Sequence, residues 1–170
     1  ADVSIKPGWF YHPNEESKVK TPRQLLDIYY RSVGHGGNLI LNVPPNRAGL
    51  ITPEDSASLI NFKKLRDSAF ANNTLKNASK LNTYNGVSYS FNKPTKINTV
   101  VLKEKIALGQ RVVAFEILGS TVQGQYFHLA KGTTIGHKRI IRFPTSEVRY
   151  IQVVIKEAKA TPIISSVEAY

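Results

Sequence analysis

Two different patterns of hydrophobic and polar positions divide the chain near residue 72. In residues 1–72, apolar residues recur at helical spacing in two stretches, and each of these stretches comes after a short apolar run. In residues 73–170, short alternating runs follow one another, with turn residues between them and no convincing helical stretch. The patterns predict two domains, residues 1–72 of α/β class and residues 73–170 of all-β class.

The first 72 residues predict two strand–helix units. Residues 1–5 suit a short strand, and Thr21 and Pro22 suit the cap and first position of a helix that Gly34 stops. Residues 38–43 form an apolar run without strict alternation, as in a parallel strand buried on both faces. A second helix follows the cap Thr52, with an apolar stripe of Leu59, Phe62, Leu65 and Ala69. Two such units favour a parallel sheet. They supply only some of its strands, so we expect the other strands in a segment preceding residue 1.

The second half predicts a series of short strands. Residues 82–86 carry turn signals, and strand-like runs follow at 87–91, 97–102, 112–117, 126–130, 139–143, 148–155 and 164–169. Lys-Pro, Gln-Gly, Lys-Gly and similar breaks separate these runs. A succession of about seven short strands without helices is typical of a β-sandwich or jelly roll.

Composition and charge narrow the range of functions. The chain has no cysteine, which excludes disulfides and thiolate metal sites, and no apolar run long enough to cross a membrane. The net charge of +11 is uneven, because residues 1–72 hold 9 basic and 7 acidic residues and residues 73–170 hold 14 and 5. The basic residues of the second half are dispersed and form no block, so they predict a solvated surface rather than a nucleic-acid or polyanion site.

Few residues suggest catalysis. The four histidines share no metal-ligand spacing, and no glycine-rich phosphate loop is present, so we expect no metal and no cofactor. Glycoside hydrolysis needs two carboxyl groups beside the bond, but in the first half only Glu15 and Glu16 fall in a suitable loop. The acidic residues on the two predicted helices are expected to face water: Asp27, Glu54, Asp55 and Asp67.

An aromatic cluster at residues 9–12 is more informative. Trp9, Phe10 and His12 lie just beyond the first predicted strand, at the carboxyl end where α/β barrels assemble their active sites. Aromatic faces suit the apolar face of a sugar, and His12 is able to hydrogen-bond a hydroxyl group. The alternative is that Trp9 and Phe10 only pack the loop onto the sheet.

Two long stretches resemble the family 29 α-L-fucosidases. "ADVSIKPGWFYHP" and "LLDIYYRSVGHGGNLILNVPPNRAGLI" are similar to the last two βα units of the catalytic (β/α) barrel of that family. "FNKPTKINTVVLKEKIALGQRV" and "GTTIGHKRIIRFP" are similar to the C-terminal galactose-binding-like β-sandwich of its Bacteroides-like members. The resemblance covers essentially the whole chain, in the order of the family.

The resemblance implies a retaining, exo-acting α-L-fucosidase that acts on fucosylated glycans. An Asp nucleophile and a Glu acid/base would lie on earlier barrel segments, so no catalytic residue is assigned in this chain, which alone is expected to be inactive. Trp9 matches the tryptophan of the family's fucose pocket, and Phe10, Tyr11 and His12 are its neighbours. Asn38 and Asn42 bracket the last barrel strand, where they either hold the strand ends or contact substrate.

For the second half, the resemblance leaves two roles open. The sandwich braces the barrel, which is its usual role in the family, or it binds sugar through candidates of suitable type and loop position: Tyr84, Asn85, Arg111, Tyr126 and His128. A non-catalytic carbohydrate-binding module is the alternative function for the whole chain. No group of acidic residues predicts calcium. The resemblance also implies a periplasmic or secreted location, whereas linkage preference and oligomeric state are not implied.

Overall fold

The computed structural model describes all residues from Ala1 to Tyr170. The chain forms two compact units, Ala1–Ala71 and Asn72–Tyr170. The first unit contains two parallel strands and two α-helices, and the second contains six antiparallel strands.

The first unit repeats a strand and a helix. Strand β1 (Asp2–Ser4) is followed by a 3₁₀ helix (Pro13–Lys18) and helix α1 (Pro22–Ser32), and strand β2 (Ile40–Asn42) by helix α2 (Pro53–Ala69). β1 pairs with β2 in parallel, with Val3 opposite Leu41, as the strand–helix repetition predicts.

Local sequence signals explain where the two helices begin. Thr21 and Gln24 form a capping box, in which the Gln24 amide N–H donates to Thr21 Oγ1 (3.3 Å) and Thr21 N–H donates to Gln24 Oε1 (2.8 Å). The Asp55 amide N–H donates to Thr52 Oγ1 at 3.4 Å, which caps α2. α1 ends two residues before Gly34 and passes into a 3₁₀ turn, where Gly36 adopts the left-handed conformation (φ 84°) that terminates the run.

Two burial predictions for the first unit are wrong. Ile40 in β2 is 64% exposed. The sheet consists of β1 and β2 alone, and no other element of this chain covers the Ile40 side chain. In α2, Leu65 of the predicted apolar stripe is exposed, whereas Asp55 and Ser58 are the buried residues. The buried side of α2 is therefore polar, and an ion pair described below explains this.

The second unit is built around two long strands, β4 (Gly86–Glu104) and β7 (Arg139–Ala158). The shorter strands are β3 (Ser79–Thr83), β5 (Val112–Ser120), β6 (Phe127–Gly132) and β8 (Ile164–Ala169). All pair antiparallel in the order β3-β4-β7-β5-β6, and β8 pairs with the second half of β4.

The long strands correct the sequence prediction. Residues 87–91 and 97–102 belong to the single strand β4, and residues 139–143 and 148–155 belong to the single strand β7. The break at Lys93-Pro94 interrupts the β4–β7 register between Ser90 and Thr95, and Pro144 lies opposite a second interruption, between Ile97 and Thr99. Pairing resumes beyond both. The chain also contains β3 and two short 3₁₀ helices, Thr74–Asn77 and Ile106–Leu108, that the pattern did not predict.

One hydrophobic core fills the second unit. Side chains from both halves of the long strands belong to it, including Val87 and Val100 from β4 and Ile141 and Val153 from β7. Gly86 opens β4 immediately after the β3–β4 turn, and a Cβ atom there would lie 1.9 Å from the carbonyl oxygen of Val153. Close backbone pairing therefore requires glycine at this position.

Candidate functional site

The residues that follow β1 form an exposed aromatic segment, Trp9, Phe10, Tyr11 and His12, which we call the aromatic loop. Trp9 is 50% exposed and Phe10 is 79% exposed, whereas Tyr11 is half-buried. The loop lies beyond the carboxyl end of a strand that is parallel to its neighbour. Exposed aromatic rings at this end of a parallel sheet are accessible to a ligand, and they do not form part of a core.

Asn42, at the end of β2, holds the aromatic loop in place. Its side-chain amide donates to Ser4 Oγ (3.0 Å) and to the carbonyl oxygen of Trp9 (2.8 Å). Ser4 Oγ in turn donates to the carbonyl oxygen of Gly8 at 2.8 Å. Asn42 therefore has the strand-end role that the sequence left open, and the backbone of Trp9 is fixed while its ring stays exposed. Asn38 is exposed, and its carbonyl oxygen accepts a hydrogen bond from the Ala1 amino group.

Glu15 and Glu16 brace the same loop. Glu15 Oε2 accepts from Gly8 N–H at 3.1 Å, and Glu16 Oε1 accepts from the Tyr11 hydroxyl at 2.7 Å. The hydrogen bond to Glu16 is the main cause that raises the pKa of Tyr11 above its ordinary value. Both carboxylates are therefore engaged in holding the loop rather than free beside it.

A buried ion pair lies at the end of β1, and the sequence did not predict it. Lys6 Nζ lies 2.8 Å from Asp55 Oδ2, and both side chains are fully buried. Thr52 Oγ1 donates to the same carboxylate oxygen at 2.8 Å. Asp55 thus does not face water as expected, because its position in the first turn of α2 brings it to Lys6. The ammonium group also lies 5.6 Å from the centre of the Tyr11 ring, so the pair contacts the aromatic loop.

The candidate residues of the second unit do not converge on one place. Tyr84 and Asn85 line a surface cavity of about 550 Å³, and Tyr126 lines another of about 300 Å³. The Arg111 side chain donates to the carbonyl oxygens of Leu108 (3.2 Å) and Thr161 (2.7 Å), which joins two loops. His128 is exposed on β6, opposite Leu118 of β5.

Two further features bear on the chemistry available. No three His, Asp or Glu side chains lie close enough together to hold a metal ion. None of the helices has the length and apolar character needed to cross a membrane.

In comparisons with known proteins, the amino-acid sequence of the chain is similar to α-L-fucosidases. The family model described as "Alpha-L-fucosidase" matches residues 1–64. The chain is 34% identical to "Alpha-L-fucosidase 1" of Arabidopsis thaliana over 99% of its own length and 40% of that protein. It therefore spans well under half the length of this relative.

Solved structures extend the similarity to the fold of both units. A glycoside hydrolase 29 family member from an unknown rumen bacterium superposes with a TM-score of 0.92 at 37% identity, over 98% of this chain and 31% of that one. A GH29 fucosidase of Ruminococcus gnavus, solved in complex with fucose, gives a TM-score of 0.87 at 27% identity, over 100% of this chain and 40% of that one. The similarity spans both the helical unit and the antiparallel sheet.

Proposed function

The chain belongs to the α-L-fucosidases of glycoside hydrolase family 29, and from this membership we propose that it forms part of an enzyme that hydrolyses α-L-fucosyl linkages in glycans. The observation that carries the proposal is the aromatic loop, exposed at the carboxyl end of β1 and fixed by Asn42. Trp9, Phe10 and His12 then form one wall of the fucose site. The Trp9 ring packs against an apolar face of the sugar, and His12 hydrogen-bonds one of its hydroxyl groups.

We also propose that the chain supplies binding and support rather than the reacting groups. The two carboxylates nearest the aromatic loop, Glu15 and Glu16, already accept hydrogen bonds from Gly8 N–H and the Tyr11 hydroxyl. A retaining mechanism needs one carboxylate as nucleophile and another as acid/base. Both would come from barrel segments outside this chain, and the protein would act on exposed glycans in a periplasmic or secreted location.

The proposal extends to the architecture of the two units. β1, α1, β2 and α2 are the last βα units of a (β/α) barrel, completed by strands from a preceding segment of the same protein. Asn72–Tyr170 is a galactose-binding-like β-sandwich whose two layers are made by the two halves of β4 and β7 around one core. This sandwich braces the barrel.

Replacing Trp9 by alanine tests the proposed fucose site. In the parent protein, meaning the full product of the gene that encodes this chain, Trp9→Ala is expected to lower kcat/KM on an aryl α-L-fucoside by about 10- to 100-fold. This range corresponds to the contribution of about 1.5–3 kcal/mol from one buried aromatic side chain.

A matched control separates this effect from a general loss of exposed aromatic surface. Phe127 is 42% exposed on β6 and lies outside the proposed site, so Phe127→Ala should leave kcat/KM unchanged. Equal activity of the Trp9→Ala protein and the unmodified protein would show that the aromatic loop does not contact the sugar.

A further inference from the structure

A second loop lies beside the aromatic loop at the same end of the sheet. It follows β2 and comprises residues 43–51, which we call the β2–α2 loop. Directly before it, Asn42 donates to the carbonyl oxygen of Trp9 at 2.8 Å. Directly after it, Thr52 Oγ1 accepts from Lys6 at 3.4 Å, and the Lys6 ammonium group contacts the aromatic loop. Both ends of the β2–α2 loop are therefore anchored at the aromatic loop.

Hydrogen bonds close part of the β2–α2 loop into a turn. The Asn46 side chain accepts from the amide N–H groups of Ala48 (2.9 Å) and Leu50 (3.0 Å), and Asn46 N–H donates to the carbonyl oxygen of Leu50 at 2.8 Å. Gly49 supplies the left-handed conformation (φ 77°) that this turn needs. Arg47 lies within the turn, so its backbone is held in a defined position.

Arg47 is an exposed cation without an ion-pair or hydrogen-bond partner in the chain. Two carboxylates of the same region already have partners, since Glu16 accepts from the Tyr11 hydroxyl and Asp55 pairs with Lys6. The guanidinium group of Arg47 is therefore available to a ligand.

The charge of Arg47 acts on the aromatic loop. The hydrogen bond to Glu16 is the main cause that raises the pKa of Tyr11, and the positive charge of Arg47 opposes this rise. Glu54 also acts on the Tyr11 hydroxyl, but it forms no ion pair with Arg47. Because interactions of exposed charges are screened with distance, Arg47 and the aromatic loop lie side by side at the carboxyl end of the sheet.

The chemistry of arginine indicates what this position binds. A guanidinium group donates two parallel hydrogen bonds to a carboxylate or a similar oxyanion, and this geometry favours anions over neutral groups. α-L-Fucose carries no charged group. An anion bound at Arg47 therefore belongs to the rest of the glycan, which is the part that leaves when the fucosyl linkage is hydrolysed.

We propose that Arg47 is a specificity-determining residue that binds an oxyanion, a carboxylate or a sulfate ester, on the saccharide that carries the fucose. This inference rests on the proposed function, because the fucose site at the aromatic loop defines where that saccharide lies. Leu50, which is 63% exposed in the same turn, packs against an apolar face of the saccharide. The parent protein thus hydrolyses acidic fucosylated glycans in preference to neutral ones.

Matched neutral and acidic substrates test the role of Arg47 in the parent protein. kcat/KM is measured for an aryl α-L-fucoside, for neutral fucosylated oligosaccharides with each common fucosyl linkage, and for their sialylated and sulfated forms. We expect at least one acidic form to be preferred over its neutral counterpart, and Arg47→Gln to reduce that preference by about tenfold, the loss expected for a hydrogen bond to a charged group. The preferred acidic form identifies the anion as carboxylate or sulfate.

Two further variants show whether paired hydrogen bonds or charge alone explain the preference. Arg47→Lys keeps the charge but not the two parallel donors, so it should retain only part of the preference. Lys64→Gln removes another exposed cation without an ion pair, in the C-terminal half of α2, and should leave the preference unchanged. The melting temperature of Arg47→Gln should equal that of the unmodified parent protein, because Arg47 has no partner in the chain.

The outcomes separate this inference from the proposed function. A parent protein that does not hydrolyse the aryl fucoside contradicts both. Hydrolysis of the aryl fucoside without preference for any acidic oligosaccharide overturns this inference alone, as do equal losses of Arg47→Gln on neutral and acidic substrates. A lower melting temperature of Arg47→Gln also overturns it, because Arg47 then pairs with another part of the parent protein.

Discussion

Replacing Lys6 by methionine is expected to lower the free energy of unfolding of the first unit by about 3–5 kcal/mol, the usual cost of breaking a buried ion pair. Methionine keeps most of the side-chain volume, but it leaves the Asp55 carboxylate buried without its cation. One oxygen of that carboxylate, Oδ1, already has no hydrogen-bond partner, so nothing nearby compensates. Urea unfolding followed by the emission of Trp9, the single tryptophan, measures the change.

A double variant and a surface variant serve as controls for this result. Lys6→Met combined with Asp55→Leu removes both charges and should recover most of the lost stability, because apolar replacements of buried ion pairs are often neutral. Lys63→Met breaks an exposed pair with Asp67 in the same unit and should change stability little. If Lys6→Met is as stable as Lys63→Met, the Lys6–Asp55 contact does not form in solution.

Glu104 is the second position where a large effect is expected. Its side chain is buried, and its carboxylate accepts three backbone N–H groups, from Arg111 (2.9 Å), Val112 (3.0 Å) and Gly136 (2.7 Å). The end of β4 is thereby tied to the start of β5 and to the loop before β7. Glu104→Ala leaves three donors unpaired, so we expect a loss of roughly 3–6 kcal/mol from the stability of the second unit.

Two further substitutions show whether the acceptor role of Glu104 explains that loss. Glu104→Gln keeps one acceptor oxygen and should cost less than Glu104→Ala, although its NH₂ group opposes a backbone donor. Glu116→Gln removes the charge of a more exposed carboxylate, 3.6 Å from Lys156, and should have little effect. Chemical unfolding followed by far-UV circular dichroism gives the comparison. Similar losses for Glu104→Ala and Glu116→Gln would argue against the three-donor arrangement.

Features encoded by neighbouring residues were predictable from the sequence. Thr21 and Gln24 form the capping box at the start of α1, and Thr52 caps α2, as their order along the chain indicates. The parallel pairing of β1 and β2 also follows from the alternation of strands and helices.

Features that depend on distant partners were not predictable. The polar strand β3 has no alternation of its own and is defined by pairing with β4, whereas Pro94 suggested a break that the β4–β7 pairing spans. The burial of Lys6 depends on Asp55, which is far away in the sequence, and no local pattern marks a charge that will be buried.

The site could be predicted only in part for the same reason. The position of the aromatic loop after β1 and its aromatic composition were visible in the sequence, whereas its hydrogen bonds to Asn42 and Glu15 depend on folding. In the second unit, the alternation of residues 87–91 indicated a strand with one buried face, and Val87, Tyr89 and Phe91 form that face.

Hydrolysis of an aryl α-L-fucoside, measured for the parent protein and for the purified 170-residue chain in parallel, tests the central claim most directly. The claim is that this chain supports and shapes a fucosidase site without supplying its nucleophile or its acid/base. We predict turnover by the parent protein and none by the chain alone. Turnover by the pure chain, or a correctly folded parent protein that does not release the aryl group, would contradict it.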